Sequence, residues 1–235
     1  MHRFFAPDIA DTLVLPEQES QHAVRVLRLV EGDEIEVVDG RGGLYNCRIT
    51  LAHTKRCGVE IVSSTSVPNH WQGRITVAIA PTKNLDRMEW LAEKATEMGI
   101  DRIIPLLCRH SERKELKTER LAKILVSAMK QSLKATLPRL DEMTPIRQVL
   151  AGTSLPHQRF IAYCDEATER RQFEHCYRPD EDVIIMIGPE GDFSPEEVEM
   201  AVAKGFVPVT FGESRLRTET AALYAIAACH ALKHK

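Results

Sequence analysis

Apolar and polar positions alternate with a period of two along Glu34-Ile35-Glu36-Val37-Val38 and along Leu44-Tyr45-Asn46-Cys47-Arg48-Ile49, the pattern of strands with one face buried. Between them, Asp39-Gly40-Arg41-Gly42-Gly43 supplies the residues that a tight hairpin needs at positive φ. Gly58-Val59-Glu60-Ile61-Val62 continues the alternation. Ahead of these runs, Ser20 to Arg28 predicts one short helix with Val24 and Leu27 inward and Arg25 and Arg28 outward. Short strands separated by turn signals predict a small β-barrel over residues 1–70. The polar run Ser63 to His70 reads as a linker.

Beyond it the period changes, and strands alternate with helices over residues 73–235. Ile75 to Ala80 is a strand, and Asn84 caps a helix whose Leu85, Met88, Ala92 and Ala95 share one face and which ends at Gly99. Ile103-Ile104-Pro105-Leu106-Leu107 follows, then a helix from Thr118 that buries Leu121, Leu125 and Met129 and stops before Pro138. Phe160 to Cys164 and Val183 to Ile187 are apolar on successive residues, as strands covered on both faces must be. The fold class is therefore α/β with a parallel sheet.

Composition narrows the functional classes. The chain has 235 residues, 43% hydrophobic and 28% charged, which excludes a disordered or collagen-like chain. Its apolar runs fall short of the roughly 20 residues that cross a bilayer. Met1-His2-Arg3-Phe4-Phe5 runs straight into Pro7 and Asp8 without the apolar stretch of a secretory signal. No membrane role and a cytoplasmic location are expected. Cysteines 47, 57, 108, 164, 176 and 229 have no metal-ligand or disulfide spacing, and histidines 22, 53, 70, 110, 157, 175 and 230 are scattered, so no metal is expected. Cys108 and Cys164 read as buried free thiols at strand ends.

The formal net charge is -3, but it is unevenly spread. From Arg102 to Arg139 ten basic residues face three acidic ones, a local +7, and from Cys164 to Met200 twelve acidic residues face three arginines, a local -9. The basic block is either a solvated helix face or a nucleic-acid surface.

Two loops carry the candidate chemistry. The strand Val183 to Ile187 enters Gly188-Pro189-Glu190-Gly191-Asp192-Phe193, and Ser194-Pro195-Glu196-Glu197 then opens a helix with a capping box and proline at its first position. Such a loop exposes backbone groups at the carboxyl end of a buried strand, where open α/β sheets bind ligands. The second loop, Gly212-Glu213-Ser214-Arg215-Leu216-Arg217, follows the strand Val207 to Phe211 and leads into a helix from Thr218 to about Lys233. A helix start of this kind serves an anion through its free amides. Thr218 suffices as a cap, which leaves Arg217 and Glu219 to be explained. Dinucleotide, phosphate-loop and Gly-x-Ser-x-Gly nucleophile signatures are absent.

At these loops the chain resembles the SPOUT superfamily of methyltransferases, and within it the RsmE family, which methylates uridine N3 in 16S ribosomal RNA. The likeness runs through His2-Arg3-Phe4-Phe5, His22 to Arg28 with Glu31-Gly32-Asp33, Lys94-Ala95-Thr96-Glu97-Met98-Gly99, Gln131-Ser132, Gly188-Pro189-Glu190-Gly191 and Leu216-Arg217-Thr218-Glu219-Thr220-Ala221. It implies an N-terminal PUA-like β-barrel for RNA, a C-terminal domain closed by a trefoil knot, bent S-adenosylmethionine in the knot, and a homodimer acting on 16S rRNA of the small ribosomal subunit. The family usually has glycine where Asp192 stands and arginine where Ser214 stands.

The resemblance implies that Arg217 stabilises the uracil anion, while Glu219 is either its base or a helix cap. The cofactor contacts implied are Thr82, Ile187, Gly188, Pro189, Glu190, Gly191, Phe211, Gly212, Leu216, Thr218, Thr220 and Ala221. Arg3, Arg25, Arg28, Lys83, Arg87, Arg109, Arg113, Lys130 and Lys134 are the candidates for RNA phosphates. A SPOUT enzyme with another RNA target and a non-catalytic RNA-binding module are the rival readings.

Overall fold

The computed structural model describes residues 2–164 and 169–232, and the chain divides into two compact units: 1–70 with 126–137, and 71–125 with 138–235.

In the first unit four strands, β1 (Arg3–Phe5), β2 (Glu34–Val38), β3 (Gly43–Leu51) and β4 (Gly58–Ser66), form one sheet in that order. β1 pairs parallel with β2, and the other pairs are antiparallel. The hairpin forms as its glycines require: Gly40 and Gly42 stand at φ 77° and 99°, and the Asp39 carboxylate accepts from the amides of Arg41 (2.7 Å) and Gly43 (2.9 Å). β4 continues to Ser66, opposite Gly43, through much of the stretch expected to be a linker. Backbone pairing suffices to extend an exposed strand whose side chains are polar. β1, too short to show a period, went unpredicted.

The expected short helix instead begins earlier. Helices α1 (Ile9–Thr12) and α2 (Glu17–Gln21) precede a π-helical turn at His22–Val26. Val24 and Leu27 still pack against the core while Arg25 and Arg28 are exposed. That core joins Phe4, Ile9, Leu15, Ala23, Ile35, Val37 and Ile49.

In the second unit eight strands are β5 (Ile75–Ile79), β6 (Arg102–Leu107), β7 (Arg139–Leu140), β8 (Thr144–Pro145), β9 (Gln158–Ala162), β10 (Arg171–Gln172), β11 (Val183–Ile187) and β12 (Val207–Thr210). The order is β10-β12-β9-β11-β5-β6-β7, with β8 also on β6, and every pairing is parallel. At the sheet's centre Ile79, Ile187 and Ala162 stand side by side. All five residues of β5 and of β11 are buried, the consequence of helices on both faces. β9 starts and stops two residues before the run that predicted it, and the two-residue strands β7, β8 and β10 left no periodic signal.

The helices are α3 (Leu85–Met98), α4 (Thr118–Gln131), α5 (Ile146–Leu150), α6 (Phe173–Cys176), α7 (Pro195–Ala203) and α8 (Thr218–Ala231). Asn84 caps α3 by accepting from the Asp86 amide at 3.0 Å. The capping box of α7 is complete: Ser194 Oγ accepts from the Glu197 amide and the Glu197 carboxylate from the Ser194 amide. α8 buries Ala221, Ala222, Ala225, Ile226 and Cys229. Its small side chains let it lie close against α3, β5 and β11. The predicted end at Lys233 lies outside the described residues.

Candidate active site

Where β9, β11 and the start of α8 meet, the carboxyl end of the parallel sheet opens into a cleft of about 280 Å³. The loop after β11 supplies Gly188, Pro189, Glu190 and Asp192, and the loop before α8 supplies Arg215, Leu216 and Arg217. Thr218 joins them: its hydroxyl donates to the Gly188 carbonyl at 3.2 Å. The helix N-cap is Arg217, whose side chain makes no capping bond, so Thr218 is the first helical residue and ties the two loops together instead of capping. Gly188 is needed for closeness, because a Cβ there would stand 3.0 Å from the Phe193 ring.

Of the cofactor residues expected from sequence, Ile187, Gly188, Pro189, Glu190, Leu216, Thr218 and Ala221 line the cleft, with Arg217 beside them. Others lie off its wall. Thr82 is fully buried and donates to the Asn84 carbonyl at 2.7 Å. Gly191 faces His110, Phe211 packs between Phe173 and Tyr224, Gly212 receives the Thr210 hydroxyl at 2.9 Å, and Thr220 is exposed.

Glu219 is buried, its side chain 7% exposed. One carboxylate oxygen lies 3.7 Å from Arg87 Nε, and the other has no hydrogen-bond partner among the described residues. Arg87, an RNA-phosphate candidate by sequence, lines the cleft. Sequence reasoning also missed Ala162, Cys164, Asp192 and Arg215 as wall residues. The first two follow directly from β9 being the neighbour of β11, an order that no sequence period reveals.

Asp192 adopts φ 62°, and its carboxylate accepts from the amides of Phe193 (2.8 Å) and Cys164 (3.0 Å). It thereby fastens the segment after β9 to the loop after β11. Cys108 is buried as expected, but Cys164 is exposed, because the chain leaves β9 at the open end of the sheet; partial desolvation and the Asp192 charge push its thiol above its usual range.

The basic residues divide by partner. Arg3 pairs with Glu36 at 2.8 Å and Lys130 with Glu19 at 2.6 Å. Lys83 meets Glu112 at 3.0 Å, and Arg109 meets Glu196 at 3.1 Å. Arg113 donates to the Lys83 carbonyl at 2.8 Å, bracing the loop after β5. Arg25 and Arg28 are exposed, and Lys134 is half-buried. A larger hollow, about 640 Å³, opens where the strands begin, but its arginines are engaged: Arg74 with Asp182 (2.7 Å), Arg102 with Asp141, and Arg139 with Asp141 (2.8 Å). No group of three or more His, Cys, Asp or Glu among the described residues is placed to hold a metal, and no helix there is long and apolar enough to cross a membrane.

The RNA methyltransferase domain family matches residues 69–230, the whole extent of this cleft and its sheet. The chain belongs to the RNA methyltransferase family. The RNA methyltransferase PUA domain matches residues 15–62 of the first unit. This methyltransferase is 47% identical to a probable rRNA-methyltransferase from Porphyromonas gingivalis, with a TM-score of 0.94 over 100% of this chain and 99% of that one. It is 29% identical to a ribosomal RNA small subunit methyltransferase E from Neisseria gonorrhoeae solved with S-adenosyl methionine bound, with a TM-score of 0.86 over 99% and 98% of the two chains. The protein of that name from Bacillus subtilis is 26% identical over 231 residues, covering 93% of this methyltransferase and 90% of the relative. The RsmE family indicated by the sequence motifs is thus the one found.

Proposed function

We propose that the protein transfers a methyl group from S-adenosylmethionine to N3 of a uridine in 16S rRNA, acting in the cytoplasm as a homodimer. One observation carries this reading: two loops apart in sequence converge, through the Thr218–Gly188 bond, on a single cleft that holds Arg217 and Arg87, the latter paired with buried Glu219. The ring of relatives named for small-subunit rRNA methylation supports the substrate. In this reading the loops belong to a trefoil knot, and the N-terminal sheet is the PUA-like barrel that takes RNA.

The residues present fit the donor. Ile187, Leu216, Ala162 and Ala221 offer apolar contact, the peptide groups of Gly188 and Leu216 offer fixed donors and acceptors, and the closeness of Gly188 to Phe193 keeps the wall tight. Ile187, Gly188, Pro189, Leu216, Thr218 and Ala221 would hold the donor, whose sulfonium supplies an electrophilic methyl group when bound.

The chain's own residues then have two tasks. Uracil N3 carries a proton at neutral pH, and it attacks only as that proton leaves. Arg217, always cationic, faces the negative charge that spreads over N3 and its flanking oxygens. Glu219 has one buried oxygen without a hydrogen-bond partner among the described residues, an acceptor for an N–H. Its other oxygen lies 3.7 Å from Nε of Arg87, which lines the cleft.

The test is methyl transfer from labelled donor to small-subunit rRNA, followed by mass mapping of the nucleoside. Methylated N3 of uridine is expected; a methylated ribose or another base ends the uridine assignment.

A further inference from the structure

One carboxylate on the cleft wall stands on a backbone that would suit glycine better. Asp192 has φ 62°, in the left-handed region where any side chain is strained. The turn that holds it is closed by backbone groups: its amide donates to the Pro189 carbonyl at 2.9 Å, and its carbonyl meets Nδ1 of His110 at 3.1 Å. Glycine would keep both contacts without the strain. What the side chain adds is a carboxylate in a fixed place.

That place is set on several sides. Oδ1 takes the Phe193 amide at 2.8 Å and Oδ2 the Cys164 amide at 3.0 Å. A Cβ on Gly188 would stand 3.3 Å from Oδ1, so the carboxylate lies against the glycine of the loop assigned to the donor. Asp192 is half-buried and lines the cleft. Each carboxylate oxygen accepts about two hydrogen bonds, and the backbone amides take one on each. The neighbouring Cys164 thiol is a weak donor and no rival for a hydroxyl.

Two acceptors side by side suit two adjacent hydroxyls, each donating to one oxygen. A cationic group suits them less, because Arg215 stands on the same wall and the charges of Arg215 and Arg170 act on Cys164 together with that of Asp192. Neutral hydroxyls meet no such repulsion, and hydrogen bonds to an ionised acceptor are the strong ones. S-Adenosylmethionine carries one such pair, on its ribose.

We infer that Asp192 binds the ribose hydroxyls of the donor, one on each carboxylate oxygen. The inference rests on the reading of the cleft as the S-adenosylmethionine site, and it gives that site a specificity for ribose over deoxyribose.

Calorimetry of the full chain with S-adenosylhomocysteine and with its 2′-deoxy and 3′-deoxy counterparts tests it, since none of the three carries the reactive methyl. Wild type should bind each deoxy compound about tenfold more weakly than the parent, the worth of one hydrogen bond to a charged group. Asp192→Gly, which suits the positive φ, should bind the parent about tenfold more weakly or worse and treat all three compounds alike. A side chain that only clasps the loops would weaken all three together and leave the wild-type ratios standing, which overturns the assignment. Deoxy compounds held by wild type as tightly as the parent overturn it too. Should the glycine variant not fold, Asp192→Asn replaces it: with one oxygen left, it should lose discrimination against at least one deoxy compound, and wild-type discrimination against both overturns the assignment. Wild type that takes up none of the three removes the donor reading itself.

Discussion

The hydroxyl of Thr218 donates to the carbonyl of Gly188 across 3.2 Å, joining the first turn of α8 to the loop after β11, thirty residues away in sequence. Thr218→Val keeps the shape but leaves a buried carbonyl without its donor. We expect a loss of about 1–3 kcal/mol in chemical denaturation and weaker donor binding by calorimetry, with Thr218→Ser close to wild type. Equal stability of the Val variant would show that the bond contributes nothing.

Gly188 leaves no room for a branched side chain. A Cβ would lie 3.0 and 3.1 Å from two carbons of the Phe193 ring, and Phe193 is itself 2% exposed. Gly188→Val should abolish donor binding in equilibrium dialysis while the far-ultraviolet circular dichroism stays native. Retained affinity would take this loop out of the donor site.

Arg217 and Glu219 separate by kinetics. Arg217→Ala should lower kcat by about 10²-fold or more, the scale of removing one transition-state donor, with donor affinity within a factor of about two. Glu219→Gln should also lower kcat if its open oxygen accepts the imide proton. A Glu219→Gln enzyme at wild-type speed would leave the residue a purely structural carboxylate.

Cys164 reports on the cleft through pH. Its thiol lies on the wall and its ordinary pKa of 9.0 is raised, first by burial and then by Asp192. Only the thiolate is alkylated, so the rate should be slow at neutral pH and still climbing above pH 9. Asp192→Asn removes the negative neighbour and should speed alkylation at any fixed pH below that range, and bound donor should protect the thiol. Alkylation at pH 7 as fast as that of a free cysteine would contradict the assigned environment.

Salt dependence sorts the basic residues. Arg25 and Arg28 are exposed, whereas the Arg3 side chain is 10% exposed and paired with Glu36. Arg28→Ala should reduce the slope of log affinity against log salt by about 0.7 for single-stranded RNA. Arg3→Ala should cost stability and leave the slope nearly unchanged. A reversed pattern would mean that the ion pair opens on RNA.

Much of this was legible in the sequence because it is local. The hairpin at Asp39 to Gly43, the Asn84 cap, the Ser194–Glu197 box and the unbroken apolar run of β11 each state their geometry within a few residues. The two chemical loops were likewise found by their glycines, prolines and helix starts. What escaped depends on neighbours distant in the chain. Asp192 as a clasp on Cys164 follows from β9 lying beside β11, Arg87 beside Glu219 from α3 packing on α8, and Thr218 as a tie instead of a cap from α8 packing on β11. Strand order leaves no mark on a hydrophobic period. The engagement of Arg3 and Lys130 by carboxylates was hidden for the same reason, since a charge count cannot see its partner.

The level alignment of Ile79, Ile187 and Ala162 constrains how such a protein can be re-engineered. Deleting one residue from any of these strands would retract its loop by about 3.3 Å and turn its side chains to the opposite layer. New specificity is therefore accessible by recoding what emerges from the platform, at unchanged strand length, and closed to insertions or deletions beneath it.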